Sequence, residues 1–325
     1  MEITSEMRQQ ILDSARVLSI PMRIKFRGIT NREVLLFEGP KGWAEWSPFT
    51  EYEDEEASIW LRAAIEFAFA EIPEPTVKTI KVNATLAAVK DVRAALEPFG
   101  TFEVVKIKVA EAGQTLQDDL DRIHEVRKHF PNAKLRLDAN GGYDIETALT
   151  LAKAMYEEGV PLEYLEQPVK TIAELAELRL KLKLLNIKIA ADESVRKVSD
   201  PLAVAQANAA DLLVLKAAPL GGISNAVRIA KEAGLPVVVS SALETSVGIS
   251  MGVYLAALLN SEYASGLATA ALLTEDVTDT PLIPINGEIP LTRITPNKKA
   301  LIQLQAPADR TTWWMERLER CLIKN

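Results

Sequence analysis

The sequence is poor in the residues that most often announce a chemistry: 325 residues carry one cysteine, Cys321, and two histidines, His124 and His129. One cysteine excludes an internal disulfide and a thiolate metal site. Both histidines fall in a helical stretch over 115–130 among Asp and Glu residues, where solvated positions are expected. Acid–base chemistry must then come from lysines or carboxylates. A basic surplus is also missing. Lys and Arg number 37 against 45 Asp and Glu, a formal net charge of −8, which excludes the concentrated positive surface of a nucleic-acid binder. No stretch approaches the roughly 18 uncharged apolar residues of a membrane span. Residues 1–10 carry Glu2 and Glu6 with no apolar core, unlike a secretory signal. A cytoplasmic enzyme is the expectation; a monomer is compatible with the sequence, which fixes no oligomeric state.

What is present is a rhythm. From Glu103 onward, β-rich runs (EVVKIKV, KLRLDAN, LEYLEQP, IKIAADES, DLLVLK, PVVVSS, ASGLAT) alternate with helical patterns. The markers Lys108, Asp138, Glu166, Asp192, Lys216, Ser240 and Leu267 are spaced by 30, 28, 26, 24, 24 and 27 residues, each step the size of one βα unit. Helical segments over 144–158 and 223–233 carry apolar residues at three- and four-residue spacing, with Asp144 and Ser224 as expected N-caps. Nearly every strand ends in a charged or hydroxyl residue, which favours a parallel α/β barrel of (β/α)7β type over an open sheet. Residues 1–100 differ in texture. Strands over 16–26 and 32–38 and a helix over 57–69 predict an α+β capping domain, completed by the tail over 284–325 and laid on a barrel over 101–283. No low-complexity linker separates them.

Side chains two apart on a strand share a face, so Lys106 and Lys108 point together, as do Arg136, Asp138 and Asn140. The next two strands end in Glu166-Gln167-Pro168 and Asp192-Glu193-Ser194. Three strands thus deliver Asp138, Glu166 and Asp192 to one end of the barrel, where their repulsion calls for a positive partner. Oxygen donors without His or Cys point to Mg²⁺. Lys216 ends a hydrophobic strand on the opposite side. Burial, a cation and neighbouring lysines would lower its pKa toward one useful for proton transfer.

The ordered set KIK (106–108), DAN (138–140), EQP (166–168), ADES (191–194) and Lys216 resembles the muconate lactonizing enzyme subgroup of the enolase superfamily, strongly over about 100–270 and more loosely through GWAEWSPF at 42–49. The resemblance implies Asp138, Glu166 and Asp192 as ligands of Mg²⁺, with Mn²⁺ as a substitute. It implies Lys108 as one acid/base with Lys106 tuning it, Lys216 on the opposite face, Asn140 as a supporting contact and Glu193 as a contact behind the third ligand. It implies a step common to the family, proton removal next to a carboxylate. Chain length, the segments 216–222 and 239–246, and a last strand region (265–269) without the DxD pair of dipeptide epimerases resemble the short dehydrating members, which form an aromatic product on the way to menaquinone. The expected substrate is then a succinyl-bearing hydroxycyclohexadiene carboxylate. Ser240, Ser241 and the helix start at Gly221-Gly222 are candidates for its succinyl carboxylate. An N-acylamino acid racemase is the alternative. A Schiff-base aldolase, with Lys216 as nucleophile, is a distant one that leaves three converging carboxylates unexplained. Arg136 faces inward with its partner open.

Overall fold

The computed structural model describes residues 3–26, 28–197 and 200–324. Helix α1 (Ser5–Ser14) leads into an antiparallel sheet of β1 (Arg16–Phe26), β2 (Ile29–Gly39) and β3 (Gly42–Trp46), against which α2 (Asp54–Phe69) packs. These are the strand pair and helix expected for the cap. The chain then passes through β4 (Thr79–Lys81), β5 (Ala84–Leu86) and α3 (Val92–Leu96). Regular alternation follows with β6 (Val104–Lys108), α4 (Leu116–His129), β7 (Lys134–Asp138), α5 (Ile145–Glu157), β8 (Leu162–Glu166) and α6 (Ile172–Leu182). Strand β9 (Ile189–Ala191) precedes two one-turn helices, α7 (Glu193–Arg196) and α8 (Ala203–Gln206); β10 (Leu212–Leu215), α9 (Ile223–Ala233), β11 (Val237–Val239) and α10 (Ser246–Leu259) complete the series.

Strands β5 to β11 form one parallel sheet in chain order. Ser265 bridges in parallel to Val82 beside β5, and Gly266 to Ser240 beyond β11. Asn83 N donates to Ser265 O at 3.0 Å and Gly266 N to Val239 O at 2.8 Å, so the sheet curls shut as the expected α/β barrel. Its first strand, Ala84–Leu86, lies ahead of Glu103; three residues are too few to show a period.

Local chemistry starts the helices. Thr115 with Asp118, and Thr171 with Glu174, form capping boxes on α4 and α6, and Asp144 caps α5 as expected. Helix α9 departs from expectation. Its N-cap is Gly222, at φ 127°, rather than Ser224, and no local side chain caps it. The carboxylate of Glu66, from α2 of the cap, accepts from Ile223 N at 2.5 Å and Ser224 N at 3.1 Å. The φ of Gly222 is one that L side chains rarely adopt, and a Cβ there, 2.1 Å from Glu66 Oε2, would push the capping carboxylate aside. Glu45 of β3 does the same for α10, accepting from Thr245 N at 2.9 Å and Gly248 N at 3.2 Å. The cap is therefore docked by two carboxylates set on the positive ends of two barrel helices.

The tail returns to the cap. Strand β12 (Glu288–Pro290) pairs with β4, Ser19 N donates to Leu304 O at 2.8 Å, and after α11 (Lys298–Gln303) helix α12 (Ala308–Lys324) packs on α2. Trp314 meets Trp46 edge-on at 5.3 Å, and its indole N–H donates to Glu33 at 2.8 Å. No described helix is long and apolar enough to cross a membrane. Replacing the remote cap, Glu66→Ala, is expected to cost about 1–2 kcal/mol of stability, read as a lowered urea midpoint at unchanged slope; an unchanged midpoint would contradict the docking role given to Glu66.

Candidate active site

The barrel interior is layered by strand register. Tyr164, Ala190, Leu212, Val214 and Val238 form a separate apolar cluster in the lumen. Two residues further along each strand, on the same face, stand Glu166, Asp192, Lys216 and Ser240. The polar layer is thus the next rung, at the C-terminal ends of the strands, above one that is apolar on β8 to β11 and carries Lys106 and Arg136 on β6 and β7. Parallel register sets Lys108, Asp138 and Glu166 side by side on β6, β7 and β8. Lys216, at the end of β10, faces them from the other side of the ring.

Asp138, Glu166 and Asp192 are each at most 1% exposed, and each is met by cations. Lys106 Nζ lies 3.0 Å from Glu166 and 3.2 Å from Asp138. Lys108 Nζ donates to Asp138 Oδ2 and to Asn140 Oδ1, both at 2.6 Å. Lys216 Nζ donates to Asp192 Oδ2 at 2.6 Å, and Arg196 Nε to Asp192 Oδ1 at 2.9 Å. Glu193 accepts from Arg196 at 2.7 Å and from Asn140 at 3.1 Å, linking the β7 and β9 loops. Among the described residues, no three acidic, histidine or cysteine side chains are oriented to hold a metal ion as they stand.

Charge and burial compete at every group. Burial raises the Glu166 carboxyl, Asp138's charge adds to it, and Lys106 only partly opposes them, leaving it pushed up to about 7. Burial also works to raise Asp138 and Asp192, but Lys108 and Lys106 for the first, and Arg196 and Lys216 for the second, outweigh it and hold both well below the carboxylate range. Burial works to lower Lys106, yet Glu166 and Asp138 raise it above the usual lysine value. Lys216 goes the other way: burial lowers its pKa, against the pull of Asp192 and with help from Arg196. The direction expected for Lys216 is the one found.

Above this layer opens a cavity of about 570 Å³, counting its mouth. Lys106, Lys108, Asp138 and Asn140 line it, as do Lys216 and, after the neighbouring strand β11, Ser240 and Ser241. Ser241 Oγ is already engaged, with Gly266 O at 2.9 Å and Thr269 Oγ1 at 2.7 Å. Gly221 and Gly222 do not line the cavity, and the helix start expected to receive a substrate carboxylate is filled by Glu66. That expectation is corrected: the anion at the N-terminus of α9 is the protein's own. Sequence reasoning missed Arg196, whose signal lay four residues after Asp192 in DESVR, and the apolar lid of Phe26, Phe49 and Trp60 that the cap contributes. Trp46 is core. Arg32 of the cap donates to Leu243 O at 3.0 Å and Ala242 O at 3.2 Å and lies over the Phe49 ring at 4.5 Å, tying that lid to the β11–α10 loop. His124 and His129 sit on α4, bonded to Glu158 and Glu125, away from the cavity.

Residues 84–296 match the family described as enolase C-terminal domain-like, and residues 17–68 the one described as enolase N-terminal domain-like. Solved structures with the same fold include a muconate lactonizing enzyme from Pseudomonas fluorescens (TM-score 0.73, 17% identity, 90% of this chain and 98% of that one). The L-Ala-D/L-Glu epimerase from Bacillus subtilis has a TM-score of 0.74 at 23% identity, over 87% and 96% of the two chains. Much nearer in sequence are o-succinylbenzoate synthases: that of Mycobacterium leprae is 47% identical over 96% of this chain and 92% of its own, and that of Mycobacterium tuberculosis 46% over 96% and 95%. The chain belongs to the enolase superfamily and, within it, to the o-succinylbenzoate synthase family. Enzymes of this superfamily depend on a divalent metal ion.

Arg136 is resolved as a buried structural group. It is 0% exposed, its Nε donates to Glu163 at 2.8 Å, its Nη1 to Asn83 Oδ1 at 2.8 Å and to Ala264 O at 2.7 Å, and it lies over the Tyr164 ring at 4.9 Å. Arg136→Met should therefore cost roughly 3 kcal/mol in denaturant unfolding by removing the buried partner of Glu163, Asn83 and Ala264 O and leaving Glu163 only Lys134 at 3.7 Å, with KM of the surviving folded enzyme unchanged. A raised KM at unchanged stability would place Arg136 on the substrate instead.

Proposed function

We propose that this chain catalyses the Mg²⁺-dependent syn elimination of water from 2-succinyl-6-hydroxy-2,4-cyclohexadiene-1-carboxylate, giving 2-succinylbenzoate for menaquinone biosynthesis. The observation that carries it is the pair of half-buried lysines, Lys108 and Lys216, that line one cavity and reach Asp138 and Asp192, two of three buried carboxylates from adjacent strands. The o-succinylbenzoate synthases at 46–47% identity favour dehydration over racemisation, for which the same two lysines would also serve.

Asp138, Glu166 and Asp192 fit a hard divalent cation. They offer only oxygen donors, they come from three adjacent strands, and burial first, then the charges of Asp138 and Asp192, push Glu166 up to about 7 against Lys106 and Lys216, a cost that a divalent cation would relieve. When bound, Mg²⁺ supplies Lewis-acid stabilisation of the charge that develops on the ring carboxylate. Lys108 removes the proton alpha to that carboxylate. Its ammonium then returns the proton to the departing hydroxide on the same face, so the C–H and C–O bonds break, a ring double bond forms and water leaves. Lys216 holds positive charge against the opposite face of the anion. Lys106 stays protonated between Glu166 and Asp138, and Asn140 orients Lys108. Ser240 lies on the wall beyond Lys216 and Arg196 beside it, both within reach of the same cavity; the succinyl carboxylate is assigned to that side, away from Lys108.

Cation affinity should depend on pH through Glu166. Its carboxyl is protonated below about 7, so the cation must displace a proton there, and affinity should rise close to tenfold per pH unit up to about 7 and level off above it. Mg²⁺ calorimetry from pH 5.5 to 8.5 measures this; a flat profile would remove Glu166 from the ligand set. The roles of the lysines separate by solvent-deuterium exchange at the alpha carbon. Lys108→Ala should lower both exchange and turnover by about 10²–10⁴-fold. Lys216→Arg keeps the charge but cannot accept a proton, so it should retain exchange from the Lys108 side and measurable dehydration. Exchange kept in Lys108→Ala and lost in Lys216→Arg would reverse the assignment.

A further inference from the structure

Between the second and third carboxylates of the site stands a side chain with no part in the mechanism above. Gln167 follows Glu166 directly, is 0% exposed, and has φ 38°, in the left-handed region that a non-glycine residue occupies only at a cost of order 1–3 kcal/mol. Its carboxamide is used to full capacity. Oε1 accepts from Asp192 N and from Ser194 N, both at 3.1 Å. Nε2 donates to Ser194 Oγ at 2.7 Å and to Val169 O at 2.9 Å. Two donors and two acceptor positions are all that a glutamine amide offers. Its backbone is engaged as well: Gln167 N donates to Ala190 O at 2.8 Å, and Gly141 N to Gln167 O at 2.6 Å.

Apart from the bond to Ala190 of β9, these bonds run to the segments after the strands that carry acidic residues of the site. Gly141 follows Asp138-Ala139-Asn140, Val169 lies on the Glu166 loop, and Asp192 and Ser194 open α7, whose first N–H groups have no local side-chain cap. We infer that Gln167 is a positioning residue that fixes the backbone carrying Glu166 relative to that carrying Asp192, so that their carboxylates can be brought, with that of Asp138, onto one divalent cation. This rests on the reading of those carboxylates as cation ligands. A glutamate at 167 could not donate to Val169 O or Ser194 Oγ and would add a charge; a methionine would keep the shape and lose every amide bond.

The test is Mn²⁺ affinity of the full chain by titration calorimetry, with circular dichroism and thermal melting in chelator as controls on folding. Gln167→Met should weaken Mn²⁺ binding roughly 10–100-fold, with turnover recovering as Mn²⁺ is raised. Ser194→Ala removes a single hydroxyl partner of the same amide and should weaken binding several-fold without unfolding; should Gln167→Met fail to fold, this variant decides. Wild-type affinity in folded Gln167→Met, or in Ser194→Ala when it stands alone, would overturn the inference even if the melting temperature had dropped, because that is the signature of a purely structural role. A wild-type chain that takes up no Mn²⁺ would instead overturn the ligand assignment, and this inference with it.

Discussion

The structure depends on holding four carboxylates and four cations in a water-poor barrel mouth. Asp138, Glu166, Asp192 and Glu193 face Lys106, Lys108, Lys216 and Arg196, and the bridging contacts among them lie between 2.6 and 3.2 Å. Each charge removed from water carries a desolvation cost of several kcal/mol, and the mutual attraction offsets it only where the geometry is exact. Stability must come from elsewhere: the apolar rung of Tyr164, Ala190, Val214 and Val238 beneath, and the wider core outside the strands. The barrel is a rigid frame whose surplus is spent on keeping unfavourable charges close.

The same constraint explains the cap. A charge lattice open to water would be screened and weakened, and the cap supplies Phe26, Phe49 and Trp60 as an apolar roof. It shares a continuous apolar core with the barrel, with Phe67 of α2 edge-on to Tyr254 of α10 at 5.8 Å, and polar contacts fix its position: Glu45 and Glu66 on two helix N-termini, and Arg32 on the carbonyls of Ala242 and Leu243. Those contacts sit directly behind the loops that form the cavity wall. Docking the cap and shaping the substrate site share contacts, since Ala242 and Leu243, held by Arg32, line the cavity.

How far this could be read from the sequence follows the range of each interaction. The two-residue alternation in KIK and RLDAN is a property of single strands, so the shared face of Lys106 with Lys108, and of Arg136 with Asp138, was legible without a fold. The βα rhythm placed Glu166, Asp192 and Lys216 at strand ends for the same reason. What was not legible is long-range. The cap of α9 comes from Glu66, 157 residues away, so the local reading chose Ser224 and left Gly221-Gly222 free for an anion. Strand β5 has three residues and is defined only by pairing with β6. Arg136 faces inward as read, but its partner Glu163 and the carbonyl of Ala264 come from other strands and the closing segment. Arg196 could have been found, since a helix turn after Asp192 puts the fourth residue back over it.

The central claim is that this charge lattice, completed by a divalent cation, dehydrates a cyclohexadiene carboxylate. The most direct measurement is turnover of 2-succinyl-6-hydroxy-2,4-cyclohexadiene-1-carboxylate beside racemisation of an N-succinyl amino acid, with Mg²⁺ and after its removal by chelation, while circular dichroism follows the barrel. The account predicts dehydration as the faster reaction, lost on chelation with the fold intact and restored by Mg²⁺. Dehydration undiminished by thorough chelation, or racemisation outpacing it, would contradict the account.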